Sequence, residues 1–318
     1  MKLFDKELKM DGILLVDKPQ NFTSFDVVAI IKKLTDTKKV GHAGTLDPLA
    51  TGVLPILIGK ATKFQDLFLN KSKEYKYFFK LGIETDTQDI TGNIIKETSV
   101  PDLKTREIQA VLRDFEGQIE QIPPMYSAIK QNGKRLYSLA RQGIEVQREK
   151  RLVEIKNIEL LNYDKDISEI SILVSCSKGT YIRTLVADIG EKLGCVATLS
   201  SLLRTRSGSF QLKDCITLDE AKKFHENNSL HKYIIPLEKI FENYKNIILT
   251  PAQGKRFRNG GDIDLSRTAL KNCKNYKDAE VFKVYVRSEN QNFNSLNFLG
   301  LGKINLHKNE LEFFKLLI

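Results

Sequence analysis

The sequence contains no tryptophan and only four cysteines and four histidines among its 318 residues. The cysteines are widely scattered and include no CxxC pair, and the histidines are equally dispersed. Spacing of this kind favours neither a zinc site nor a disulfide framework. We therefore expect a cytoplasmic protein that holds no metal ion.

Long apolar runs are also lacking. The uninterrupted apolar run at residues 53–58 is far shorter than the roughly 20 residues that a bilayer-spanning helix needs. Residues 1–6 carry an acid and precede no long apolar core, which argues against a secretory signal. The composition, 41% hydrophobic and 28% charged, is that of a globular protein without a membrane partner, long enough for one large domain and one small one.

Charge is biased toward the basic side, with 50 Lys and Arg against 40 Asp and Glu. Two regions carry much of the excess. Residues 130–156 have eight basic and three acidic side chains, and residues 246–318 have twelve and seven. Two separated basic regions suit a long, bent polyanion, although a solvated lysine-rich surface would have the same composition.

Hydrophobic periodicity predicts an α+β protein. Alternation predicts strands at residues 73–81 and 169–176, and helical spacing predicts a helix at residues 24–34, capped by Thr23 or Ser24. Residues 130–151 have little apolar content, so we expect an insertion that stands off the core. A boundary near Asn246, followed by basic and β-rich chain, predicts a first domain over residues 1–245 and a second over residues 246–318.

Residues 41–55 are the most informative segment. Three glycines permit tight turns and close approach of a ligand, and Pro48 restrains the backbone of Asp47. A restrained acid beside an apolar run suits a carboxylate nucleophile or general base, although Asp-Pro is most often only a turn. A phosphate-binding loop is excluded because six residues, not four, separate Gly52 from Gly59 and because Ala61 replaces the Ser or Thr that binds magnesium.

This segment resembles the signature of the TruB family of tRNA pseudouridine synthases, in which the aspartate of Gly-Thr-Leu-Asp is the nucleophile. Further segments resemble the family's other motifs in the expected order. Leu203 departs from the pattern, since the family more often has arginine after the first leucine of the last motif. The matching segments are residues 73–75, 122–128, 140–143, 176–183 and 202–208, and residues 298–302 fit an RNA-binding PUA-type domain more weakly.

The resemblance implies a mixed, largely antiparallel sheet with flanking helices, an RNA-gripping insertion at about residues 130–151 and a small β-rich PUA-like domain. It implies that Asp47 attacks the ribose, that Arg183 pairs with it, and that Tyr75 stacks on a flipped-out uracil. A guanidinium beside a carboxylate favours the ionised form and orients it. The remaining expected contacts are His42, Tyr181 and Leu202 to the substrate nucleotide, and Lys130, Arg141, Arg148 and Arg151 to the RNA.

The implied activity is isomerisation of uridine 55 in the T loop of tRNA to pseudouridine, a reaction that needs no cofactor. We expect a monomer that binds the T arm and requires no guide RNA. Two alternatives stay open from the sequence. One is a non-catalytic RNA-binding or RNA-folding factor, which the two basic regions alone would also suit. The other is a guide-RNA-dependent synthase within the same family.

Overall fold

The computed structural model describes residues 11–131, 133–272, 276–287 and 296–317. These residues form a nine-stranded sheet, a five-stranded sheet and two small hairpins. The strands before residue 246 are β1 (Gly12–Lys18), β2 (Val40–His42), β3 (Thr51–Ile58), β4 (Lys73–Leu81), β5 (Ile83–Thr85), β6 (Ile94–Glu97), β7 (Gly117–Gln121), β8 (Lys130–Gln131), β9 (Lys134–Arg135), β10 (Arg151–Asp164), β11 (Glu169–Cys176), β12 (Ala197–Ser207) and β13 (Phe210–Gln211).

Helices flank the large sheet and connect its strands. The α-helices are α1 (Ser24–Leu34), α2 (Gln65–Leu69), α3 (Thr105–Arg113), α4 (Leu136–Ala140), α5 (Ile182–Lys192), α6 (Leu218–Glu226), α7 (Leu237–Ile240) and α8 (Pro251–Arg258). The 3-10 helices are Gly59–Phe64, Leu212–Asp214, Leu230–Tyr233, Leu265–Arg267 and Ala269–Asn272. In the part of the chain that the structure describes, no helix is long and apolar enough to cross a membrane.

The strand order of the large sheet is β1-β3-β12-β4-β11-β10-β7, with β2 paired to β3 and β13 to β12. Every pairing in this sheet is antiparallel except that of β3 with β12, which is parallel. This confirms the predicted α+β class and the mixed, largely antiparallel sheet.

The predicted periodicities are confirmed in helices and strands that bury mainly one face. In β4 the side chains of Tyr75, Tyr77, Phe79 and Leu81 are buried in a single cluster with residues of α3 and α5. The helix α1 begins after Thr23, whose side chain caps it reciprocally with Asp26. Thr23, rather than Ser24, is therefore the cap.

The basic insertion is only partly as predicted. Residues 130–135 form the hairpin β8–β9, and α4 follows it. Leu136 and Leu139 of α4 are buried, so the expectation that this segment stands off the core is wrong for α4. Arg151 is the first residue of β10, where it pairs with Gln121, and so belongs to the large sheet.

The second sheet begins at Asn246 and has its own apolar cluster. Leu301 instead packs into a cluster of the first unit with Phe64 and Phe241, and Lys315 pairs with Asp66 at 2.8 Å. The second unit is therefore docked against the first. Its strands are β14 (Asn246–Leu249), β15 (Ile263–Asp264), β16 (Val281–Arg287), β17 (Leu296–Asn305) and β18 (Glu310–Leu316), in the order β14-β16-β17-β18-β15.

Candidate active site

Asp47 lies on the loop that connects β2 to β3. Its neighbours Leu46, Leu49 and Ala50 are buried in the same cluster as Tyr75 and anchor the loop to the sheet. The side chain of Asp47 remains 41% exposed, whereas the apolar residues around it are covered. A carboxylate is thus held on a fixed backbone and is open to a ligand from one side.

Arg183 pairs with this carboxylate, as the sequence predicted. It lies in the first turn of α5, and its Nη2 is 2.9 Å from Oδ2 of Asp47. The guanidinium also donates to the carbonyl oxygens of Thr87, at 3.0 Å, and Tyr126, at 2.7 Å. Since the arginine side chain is only 6% exposed, these bonds fix both its position and the orientation of Asp47.

Arg204 of β12 binds the backbone of the Asp47 loop, and it was not among the site residues predicted from the sequence. This fully buried guanidinium donates to the carbonyl oxygens of Val53 at 2.7 Å, Gly44 at 3.1 Å and Thr45 at 3.3 Å. It therefore ties the backbone on both sides of Asp47 to one strand. The signal for Arg204 in the sequence is an arginine within a segment that forms a largely buried strand.

Lys18 is a second buried cation that was not among the site residues predicted from the sequence. Its ammonium donates to the carbonyls of Pro19 and Phe22, at 2.8 and 2.6 Å, and lies 3.4 Å from that of Pro48. Burial lowers the pKa of Lys18 to about 8, and the charge of Asp47 opposes that decrease. Lys18 therefore places a positive charge behind the loop.

The predicted aromatic and aliphatic contacts lie beside Asp47. Tyr75 and Leu202 are each 9% exposed and belong to the cluster that anchors the loop. Burial raises the pKa of the Tyr75 phenol, and the charge of Arg204 only partly opposes this, so Tyr75 is neutral at pH 7. Tyr181 caps α5, and its backbone N–H and C=O both bond the side chain of the buried Gln121.

His42 ends β2, and its ring meets the ring of Phe25 edge to face at 5.4 Å between centroids. Burial lowers the pKa of His42, and the nearby charge of Arg204 lowers it further, so the imidazole is neutral at pH 7. A neutral ring next to an aromatic side chain suits contact with a base rather than with a phosphate.

The four basic residues predicted to bind RNA differ in their surroundings. Lys130, Arg141 and Arg151 are exposed. Arg148 is only 21% exposed, and its guanidinium bonds Glu145 at 3.0 Å and the carbonyl of Pro123 at 3.3 Å. These bonds brace the insertion and neutralise much of the charge that Arg148 could offer to a phosphate.

The arrangement can supply an oriented anionic nucleophile, a neutral phenol and an apolar wall. Among the described residues, no group of three or more His, Cys, Asp or Glu side chains is placed to hold a metal ion. What the assembled groups can do is attack an electrophilic carbon and pass a proton nearby.

Family models and named relatives match most of the chain. A model of the N-terminal domain of TruB family pseudouridylate synthases matches residues 32–182, and one of the C-terminal domain of tRNA pseudouridylate synthase B matches residues 183–242. A protein of Clostridium tetani named tRNA pseudouridine synthase B is 44% identical over 92% of this chain and 96% of its own length. The protein of the same name from Clostridioides difficile is 42% identical over 95% of this chain and 97% of its own.

Solved structures give the same answer for the fold. The chain superposes on a chain of a Cbf5–Nop10–Gar1 complex with a TM-score of 0.69 and 27% identity, covering 98% of this chain and 87% of that one. A chain of an H/ACA ribonucleoprotein bound to a substrate RNA containing 2′-deoxyuridine gives a TM-score of 0.67 and 26% identity, covering 98% and 86%. From the family models and the relatives above 40% identity over most of its length, this chain belongs to the TruB family of pseudouridylate synthases.

Proposed function

We propose that this protein isomerises uridine 55 in the T loop of tRNA to pseudouridine and that Asp47 is its nucleophile. The observation that carries the proposal is the 2.9 Å ion pair between Arg183 and the half-exposed carboxylate of Asp47. The relatives named tRNA pseudouridine synthase B support the choice of substrate class. No other described carboxylate is bonded to a guanidinium that is itself so deeply buried.

The reaction breaks the bond between N1 of uracil and C1′ of the ribose and joins C5 to C1′. Asp47 assists the first step at the ribose, forming either a transient ester at C1′ or a glycal-type intermediate. The detached base then turns and C5 bonds to C1′. This step releases the Asp47 carboxylate from the ester or, on the glycal route, is accompanied by return of the proton that C2′ had lost. C5 then loses its proton and N1 gains one, so the atoms balance without a cofactor. Arg183 orients the carboxylate of Asp47 toward the ribose through their 2.9 Å ion pair.

Tyr75 stacks on the extruded uracil in this proposal, and Tyr181 and Leu202 form the walls of the pocket. Because the raised pKa keeps the Tyr75 phenol neutral, it can relay the C5 proton through its hydroxyl without ever standing as a free phenolate. Extruding the nucleotide costs roughly a few kcal/mol of stacking and pairing. His42, at the end of β2, contacts the RNA next to the position that the extruded nucleotide leaves.

The RNA is gripped at two places. The exposed Lys130 and Arg141 of the insertion and Arg151 at the start of β10 contact phosphates close to the target nucleotide. The PUA-like unit over residues 246–318 holds a more distant helical part through phosphates and shape. In this proposal the enzyme acts in the cytoplasm as a monomer and needs no guide RNA.

The test compares wild type with Asp47→Asn on unmodified tRNA and maps pseudouridine by sequencing. Asp47→Asn should form no product while its affinity for tRNA changes little, because the amide cannot attack C1′ but keeps the shape of the loop. Asp36→Asn is the matched control, since Asp36 is an exposed turn residue with φ of 44°, a conformation that asparagine tolerates. Product at position 55 from Asp47→Asn would refute the assignment.

The two alternatives give different results in the same experiment. A non-catalytic RNA-binding factor would form no pseudouridine even as wild type, and Asp47→Asn would then have no effect. A guide-dependent synthase would fail on a bare T-arm hairpin with purified protein. Modification of that hairpin by the purified chain supports the stand-alone enzyme.

A further inference from the structure

Phe25 is an unusually exposed aromatic side chain. It lies in the first turn of α1, where Val27 and Ile31 face the core, and it is 59% exposed, more than any other phenylalanine among the described residues. A single exposed apolar side chain is common on protein surfaces, so the exposure of Phe25 matters here because of the groups that lie around its ring.

The surroundings of Phe25 connect the Asp47 loop to the insertion. On one side is the ring of His42, five positions before Asp47. On the other is Arg135 of β9, whose guanidinium carbon lies 5.9 Å from the centroid of the Phe25 ring. Arg135 also donates to the hydroxyl of Tyr137 at 3.0 Å, which holds the guanidinium over this space.

We propose that Phe25 and Arg135 form a stacking site for an unpaired base of the RNA, next to the target uridine. The proposal rests on the proposed function, since it assumes that RNA enters beside Asp47. In the proposed complex one face of the base stacks on the Phe25 ring, and the Arg135 guanidinium covers the other face. The His42 ring lies along the edge of the base that is nearer to the Asp47 loop.

The dimensions support this ligand. A base stacked on both faces requires about 7 Å between the covering groups, twice the rise of roughly 3.4 Å per stacked nucleotide. The guanidinium carbon now lies 5.9 Å from the ring centroid, which is within the range of a cation–π contact and shorter than the separation that a base between the two groups requires. A small displacement of the β8–β9 hairpin away from α1 would open the site.

The charges also favour a nucleotide. Arg135 makes no ion pair with a carboxylate among the residues that the structure describes, so its positive charge is available to a base or to its phosphate. Aromatic and guanidinium faces bind any base because every base has a π surface. The site therefore contributes affinity and position, not recognition of one particular base.

A double-mutant cycle on T-arm RNA tests the site. One partner is the protein, as wild type, Phe25→Ala or Phe25→Tyr. The other is the RNA, either intact or with a single abasic nucleotide at one unpaired loop position on either side of the target uridine. Stacking of one base is worth about 1–3 kcal/mol, so Phe25→Ala should weaken binding of intact RNA by roughly 5- to 150-fold.

The expected result is coupling at one loop position. There the abasic RNA binds wild type as weakly as it binds Phe25→Ala, and Phe25→Tyr, which keeps the ring, behaves as wild type. Phe313→Ala, which removes an exposed phenylalanine from β18, should show no coupling at that position. A matching thermal unfolding midpoint shows that Phe25→Ala is folded.

Additive effects at every loop position would overturn the proposal. So would unchanged or tighter binding by Phe25→Ala, since that result means the Phe25–Arg135 contact only holds the insertion against α1. Pseudouridine formation by wild type on the intact RNA is measured in parallel. If wild type forms no pseudouridine while the coupling is present, the proposed function is wrong and the stacking site stands. If wild type forms pseudouridine and no coupling is found, the stacking site is wrong and the proposed function stands.

Discussion

Arg204 shows how much of the site depends on a residue that is out of reach of the substrate. Its three bonds to the carbonyls of Gly44, Thr45 and Val53 fix the backbone on both sides of Asp47. An ammonium cannot reproduce this fork, because it is a point donor without the planar geometry of a guanidinium. Arg204 is therefore a positioning residue for Asp47, the proposed nucleophile.

Arg204→Lys should lower the turnover number by about 100-fold, the size of effect expected when a reacting group is misplaced by about 1 Å, while tRNA affinity stays close to that of wild type. Single-turnover kinetics and a binding titration separate these quantities. Arg206→Lys is the control, because Arg206 lies on the same strand but pairs with Glu74 and is 33% exposed. Equal losses in both variants would contradict the positioning role.

Lys18 makes the stability of the fold depend on pH. Its ordinary pKa of 10.5 applies to the unfolded chain, and burial lowers the pKa to about 8 in the folded one. Between these values the unfolded state binds more protons, so stability rises as pH increases from 8 to 10.5. Below pH 8 both states are protonated and the cost of burying the ammonium is felt in full.

Lys18→Met should remove this dependence. The free energy of unfolding of wild type, relative to Lys18→Met, should rise by up to about 3 kcal/mol between pH 7 and 10.5. Urea unfolding at several pH values measures it, with the exposed Lys32→Met as control. A difference that stays constant with pH would show that Lys18 is equally protonated in both states.

At the scale of elements, the parallel pairing of β3 with β12 brings Arg204 to the Asp47 loop. Gly52 pairs with Arg204 in the parallel register, and its φ is 101°. A Cβ at Gly52 would lie 2.3 Å from the carbonyl oxygen of Arg204, so the two strands could not keep their spacing. The glycine in the sequence motif is thus required by the sheet as well as by the loop.

Gly52→Ala and Gly117→Ala form a matched pair. Gly117 in β7 has a similar φ, 92°, but no described atom within 4 Å of where its Cβ would be. Gly117→Ala should therefore cost only the conformational term, about 1–2 kcal/mol. Gly52→Ala should cost clearly more and should also lower activity, as measured by urea unfolding and pseudouridine formation. Equal losses of unfolding free energy in the two variants would mean that β3 and β12 can move apart at little cost to admit the extra methyl group.

The insertion offers a similar contrast between Arg141 and Arg148. Arg141→Gln should weaken tRNA binding and reduce the slope of log K against log salt by roughly 0.7 to 0.9, the value for one phosphate contact. Arg148→Gln should leave that slope nearly unchanged, because its guanidinium is engaged by Glu145 and Pro123. Binding titrations at several salt concentrations check both, and identical slopes for the two variants would contradict the distinction.

At the scale of the whole molecule, the two sheets share apolar surface. Leu301 of β17 is fully buried in the cluster that contains Phe64, Phe68 and Phe241 of the first unit. Because this contact couples the units, we expect the chain to unfold in a single transition. In the proposed function, this coupling would let the second unit hold a distant part of the RNA at a fixed position relative to Asp47.

Leu301→Ala should lower the stability of this junction by about 2–5 kcal/mol, the usual cost of a large-to-small change in a core. Calorimetry should then resolve two transitions in place of one. Leu311 is fully buried inside the second unit's own cluster. Leu311→Ala should therefore destabilise that unit but leave its contact with the first unit in place. Two transitions in wild type would show that the units are independent.

Much of the fold was predictable because the informative patterns are local. The alternation over residues 73–81 coincides with β4, and that over residues 169–176 with β11, since each strand buries only one face. The partial burial of the insertion was not predictable, because the few apolar residues of α4 acquire a partner only when distant segments pack against them.

The motif around Asp47 indicated the family from the sequence alone, because its resemblance to the TruB signature extends over residues 41–55, and the chemistry proposed for Asp47 follows from that resemblance. Tertiary structure alone decided what supports that acid. Lys18, Arg183 and Arg204 lie 29, 136 and 157 positions from Asp47 along the chain. The pairing of β1 and of β12 with β3 brings Lys18 and Arg204 to it, and the placement of α5 brings Arg183. A cation's role depends on which backbone carbonyls and carboxylates surround it, and that is set by packing between segments that the linear sequence does not relate.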